Sequence, residues 1–187
     1  AQTTRGFFGR IYGAAMLDIS VYEEVEADQT ATAQALLVVV LASISHGIGT
    51  ALSHMLRGGA IRAGTGFIGG LISALLLLAV WSFITYLVGT RVFSGKATYG
   101  ELLRTIGFAN APNILGIFTF IPILGGLLSF ALLVWALAAM IVAVRQALDF
   151  STGQAVMTCI VGLIAAMVLI VIVSIFLAIP VILFSRS

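Results

Sequence analysis

Long apolar runs separated by short polar stretches give this chain its outline. Residues 33–55 and 66–88 are two such runs, each of about 23 residues, enough at 1.5 Å per residue to cross a hydrocarbon core of about 30 Å. Residues 111–144 form a third apolar block, interrupted by Pro122 and the pair Gly125, Gly126. Its length of about 34 residues is too great for one upright span and short for two, which predicts a tight helical hairpin with its tip at 121–126; a re-entrant pair is the alternative. The last block, 155–184, carries Pro180 near its end, and about 30 residues there predict a tilted, kinked or late-broken span. Five crossings follow, with the two termini on opposite sides.

The polar stretches have structure of their own. Phe8, Ile11, Tyr12, Ala15 and Ile19 recur at helical spacing with Arg10 and Asp18 off that stripe, the pattern of a short amphipathic helix lying in the headgroup region or packed on the protein's own membrane domain. Residues 21–32 hold the one strongly acidic patch, Glu23, Glu24, Glu26 and Asp28, followed by threonines able to cap a helix. That patch reads as a solvated helix entrance or as a dock for a basic partner. Between the second and third apolar blocks, residues 99–109 place Leu102, Leu103, Ile106 and Ala109 on one side, while Glu101 and Arg104 are spaced to pair at i, i+3. Asn110 and Pro112 end that helix, and Asn113 is placed to satisfy the freed backbone. A short interfacial helix feeding a bent entry into the third span is expected.

Composition sharpens this picture. Apolar residues make up 61% of the chain and charged ones 9%, against about 25% charged in a soluble domain, so the surface is dressed for lipid. The expected fold is all-α and polytopic, with about five transmembrane helices plus short interfacial helices. Residues 1–30 form an N-terminal segment, and 31–187 form the membrane domain. The net charge of +2 comes from scattered basic residues with no cluster, which excludes nucleic acid. Arg5, Arg10, Arg91, Lys96, Arg104 and Arg145 fall on the N-terminal side and only Arg57, Arg62 and Arg186 on the other, so the N-terminus is expected in the cytoplasm and, in a prokaryote, the chain in the plasma membrane. No cleavable signal peptide is expected.

Candidate chemistry is sparse. Gly64, Gly66 and Gly69 spell GxGxxG, but no strand precedes them and no acid follows at the required spacing, so a dinucleotide site is rejected. The same region repeats small residues every four positions, Gly66, Gly70 and Ala74, as does the first span at Ser43, Gly47 and Ala51. Such stripes permit close helix packing, within the chain or between two copies. His46 and His54 lack metal-ligand spacing and read as structural, although a histidine in mid-span invites attention. The five predicted spans contain no Asp, Glu, Lys or Arg, which disfavours ion coupling. No triad, carboxylate pair or HExxH is present, so neither catalysis nor a cofactor or metal is expected.

Residues 95–112 (GKATYGELLRTIGFANAP), the hydrophobic hairpin after them, Trp135, residues 144–156 (VRQALDFSTGQAV) and the acidic VYEEVEAD together resemble the Yip family of Ypt/Rab-interacting membrane proteins. The resemblance implies five membrane helices and a cytosolic N-terminus. Eukaryotic members bind prenylated Rab-type GTPases in vesicle transport; this chain is more similar to the short prokaryotic members. It implies a non-enzymatic interaction or scaffold protein, or an accessory subunit of a larger complex. Glu23, Glu24, Glu26, Asp28, Tyr99, Glu101, Arg104, Asn110 and Pro112 are the candidate partner-binding residues. The expected partners are membrane lipids, other membrane proteins or further copies of the chain. The alternative is a passive channel or lipid-handling protein with Thr85, Ser129, Thr158 and Ser174 along its path.

Overall fold

The computed structural model describes the backbone of residues 5–56 and 65–184 and the side chains of 5–56 and 69–169. Gly66 and Ser174, and with them Arg57, Arg62 and Arg186, lie outside the residues whose side chains are described. All regular elements among the described residues are helices: α1 (Phe7–Ala15), α2 (Ile19–Ala27), α3 (Ala31–Leu56), α4 (Thr65–Arg91), α5 (Tyr99–Phe108), a 3-10 helix, η1 (Ala111–Phe120), α6 (Leu124–Ala147) and α7 (Thr152–Phe184). Four are long and apolar enough to cross a membrane: Ala31–Leu56, Gly69–Arg91, Leu124–Ala147 and Thr152–Leu169. α7 keeps helical geometry past Pro180, where the sequence predicts a late break; in membrane helices the surroundings can re-satisfy the backbone that a proline frees.

The short 111–144 block is resolved by its first arm. Gly107 packs on Ala35, Gly116 on His46, and Gly49 on Gly116, Ile117 and Thr119, so η1 descends beside α3 and in the same direction. A ten-residue 3-10 helix covers about 20 Å at 2.0 Å per residue, where an α-helix of that length would cover about 15 Å. The tighter winding carries these ten residues further along α3 than α-helical winding would. Pro122 and Ile123 then reverse the chain: Leu124 N–H donates to the Pro122 carbonyl at 2.7 Å around Ile123 at φ 67, ψ −51, a γ-turn. Gly125 fits beneath it because a Cβ there would collide with the Thr119 carbonyl. The tip therefore sits where the sequence places it, and α6 returns toward α2, with Gln146 donating to Glu23 at 3.0 Å.

Tight packing is concentrated at one end of the bundle, where α1, α2 and α5 cap the long helices. One cluster joins Ala14, Val21, Tyr22 and Val25 to Val38, Phe108 and Ala139; a second joins Val39 and Leu78 to Leu102, Ile106, Val144 and Leu148. α5 lies between them. Leu102, Thr105, Ile106 and Phe108 are all buried, because α5 is apolar on more than one face and α2, α3, α4 and α6 each cover part of it. A capping box starts it, with Glu101 N–H donating to Thr98 Oγ1 (3.3 Å) and Thr98 N–H to Glu101 Oε2 (2.8 Å), an arrangement worth about 1 kcal/mol.

Candidate functional site

Below the packed cap, α3, α4, η1 and α6 part to leave a cleft of about 1190 Å³. Its roof is Ile106, and its apolar walls include Leu71, Leu77 and Trp81 of α4 with Leu132, Leu133 and Met140 of α6. A polar line runs down one side: Asn110, Asn113, Gly116 and Thr119 all face the cleft. They recur every third residue. In a 3-10 helix residues i and i+3 eclipse one another, so these positions form a straight ladder, whereas α-helical winding would carry the last about half a turn away from the first. Of the remaining positions, Leu115 and Phe118 are exposed outward, Ala111 and Pro112 are buried, and Ile114 packs on the cap cluster. Beside the ladder, α3 contributes Ser43, His46, Thr50 and His54, and α6 contributes Ser129.

Four of these polar groups are already engaged with backbone carbonyls. Ser43 Oγ donates to Val39 O (2.8 Å), Thr119 Oγ1 to Gly116 O (2.8 Å) and Ser129 Oγ to Gly125 O (2.7 Å). Asn110 Nδ2 donates to Ile106 O (3.0 Å), satisfying an orphan carbonyl at the end of α5; this is the role that the sequence suggests for Asn113. Asn113 Nδ2 reaches Asn110 Oδ1 only at 3.4 Å. The Trp81 indole N–H is buried without a partner, and His46 makes no hydrogen bond among the described residues.

The cap consumes the charges that the sequence offers to partners. Arg10, almost fully buried, binds Glu24 (2.9 Å) and Asp28 (2.7 Å), and donates to Gln34 at 2.9 Å. Arg5 reaches Asp18 and Glu24. The Thr30 hydroxyl and then Arg10 hold the Asp28 carboxyl below its ordinary range. Arg104 does not pair with Glu101. Its guanidinium donates to the backbone carbonyls of Val25 (2.9 Å) and Glu26 at the end of α2, where a cation complements the exposed end of the helix dipole. Tyr99 hydroxyl donates to Ala79 O at 3.2 Å, and Pro112 is buried in the first turn of η1. Glu26 is the exception: burial, followed by the charges of Glu101, Asp149 and Glu23, pushes its carboxyl up to about 7 against the pull of Arg104.

A family model described as the Yip1 domain matches residues 19–183, from the first residue of α2 almost to the end of α7. The chain belongs to the Yip1 domain family. No curated protein and no solved structure matches it. Within this Yip1 domain, Ser43, Gly47 and Ala51 line the same cleft as Gly70 and Ala74. A Cβ added at Gly70 meets nothing within 4 Å, so that glycine faces open space. Close backbone approach occurs instead at Gly49 and Gly107, which the four-residue stripes do not include. Gly49, Gly116 and Thr119 escape a reading based on helical period 3.6. Their signal is the three-residue recurrence beginning at Asn110.

Among the described residues no group of His, Cys, Asp and Glu is arranged to hold a metal ion.

Proposed function

We propose that this Yip1-domain protein is a non-enzymatic membrane protein that holds a lipid-like amphiphile in the cleft between α3, α4, η1 and α6. The observation that carries this reading is the lining itself: continuous apolar walls with one uncharged polar ladder, which suits a molecule with hydrocarbon chains and a compact polar head. The volume of about 1190 Å³ exceeds the range of about 300–1,000 Å³ usual for small-molecule pockets, as a chain-bearing ligand requires. We place the capped end in the cytoplasm, on the excess of Arg and Lys there.

The test is the lipid content of the protein after extraction in mild detergent. About one amphiphile per chain is expected to survive washing, and Gly70→Phe, which projects a ring into the cleft, is expected to remove it. A chain that carries none would overturn the reading.

A second reading, a scaffold for other membrane proteins or for further copies of the chain, is supported by the exposed row Phe8, Tyr12 and Met16 on α1. Glu24 and Asp28 are engaged by Arg10 within the cap, while Glu23 stays exposed on the same surface. Crosslinking from Tyr12 in native membranes distinguishes lipid contact from protein contact.

A further inference from the structure

Resting on that cleft reading, we propose that the bound amphiphile has an uncharged head bearing carbonyl or hydroxyl oxygens, seated between His46 and Asn113. No Asp, Glu, Lys or Arg lines the cleft. The ionisable groups of the cleft are His46 and His54, so a phosphate there would find no permanent cation to receive it, and an ammonium would find no carboxylate; a buried charge without a partner is heavily penalised. A zwitterionic head would leave both of its charges in that position.

The polar groups also define what the head must offer. The hydroxyls of Ser43, Thr119 and Ser129 have spent their protons on their own helices, so they face the cleft as acceptors only. Unspent donors come from two elements, η1 and α3. The Asn113 amide has only a long contact to Asn110. The His46 imidazole stands beside Gly116, close enough that a Cβ on that glycine would lie 3.5 Å from Nδ1. Donors unspent beside acceptors unspent match ester or ketone carbonyls together with a hydroxyl. The apolar walls of α4 and α6 receive its chains.

The experiment is native mass spectrometry of the full chain, delipidated and titrated with four probes: a diacylglycerol, a long-chain quinone, and the phosphatidic acid and phosphatidylcholine that share the diacylglycerol's chains. Diacylglycerol or quinone is expected to bind at least about tenfold more tightly than phosphatidic acid, and the two neutral arms separate a glycerol head from a quinone ring. Asn113→Leu is expected to weaken the neutral ligand by about five- to tenfold while leaving phosphatidic acid where it was. The selectivity of the unaltered chain is informative even if a variant fails to fold. Phosphatidic acid or phosphatidylcholine binding as tightly as the neutral probes would overturn this inference and leave the amphiphile reading standing. No binding of any probe would overturn both.

Discussion

The α-carbon of Gly49 lies so close to the carbonyl oxygen of Gly116 that no side chain fits between α3 and η1 at this level. A 3-10 helix of ten residues is uncommon, because its hydrogen bonds are poorer than those of an α-helix and runs beyond three or four residues are seldom kept. This contact, with that of Gly107 on Ala35 above it, supplies the packing that holds η1 in its tighter winding.

Gly49→Ala is therefore expected to cost about 1–3 kcal/mol, the usual penalty of overpacking. Gly70→Ala, with nothing within 4 Å of the new methyl, is expected to be neutral or slightly stabilising, since alanine favours a helix over glycine by up to about 1 kcal/mol. Thermal unfolding in detergent compares the two. Equal effects would contradict the account of η1.

Arg104 ties the cap together by donating to Val25 O and Glu26 O. Removing it as Arg104→Ala strands both carbonyls at the end of α2, and hydrogen bonds to a charged group are worth roughly 1.5–3 kcal/mol each. Lysine presents one compact ammonium instead of a planar fork, so Arg104→Lys is expected to recover only part of the loss. Amide exchange over Ile19–Ala27 reports it: faster in Arg104→Ala, intermediate in Arg104→Lys. Unchanged exchange in both would show that α2 is held without the guanidinium.

The cap also carries a pH response with a definite sign. Glu26 ionises at about 7 in the folded protein, against 4.5 for a free glutamate, so the folded state keeps this proton longer than the unfolded one. Stability from this group is full below about pH 4.5 and declines as pH rises through about 7. Glu26→Gln is expected to flatten that decline and to be the more stable protein at pH 8, as read from unfolding temperatures across the range. An unaltered slope in Glu26→Gln would assign the response elsewhere.

The parts of this fold legible from the sequence are those governed by hydrophobic length. The long runs appear as α3, α4 and α7, and Pro122 with Gly125 marks the hairpin tip as observed. What pattern reading misses depends on tertiary partners. Helical period 3.6 cannot register Asn110, Asn113, Gly116 and Thr119 as one face, because only α3 pressing through Gly49 keeps that segment in period 3. Nor can local sequence tell that Arg10 neutralises Glu24 and Asp28, or that Arg104 turns from its i, i+3 neighbour to the end of α2. Charges that look available one element at a time are spent between elements.

The register of η1 carries both the cleft and the proposed ligand, and nitroxide scanning tests it most directly. With Cys159→Ser as background, single cysteines at each position from 111 to 120 are spin-labelled in lipid bilayers, and collision with oxygen is measured along the segment. The account expects a repeat of three, with oxygen access highest at 115 and 118 and lowest in phase at 113, 116 and 119. A repeat of 3.6, with 113 and 119 falling out of phase, would contradict it.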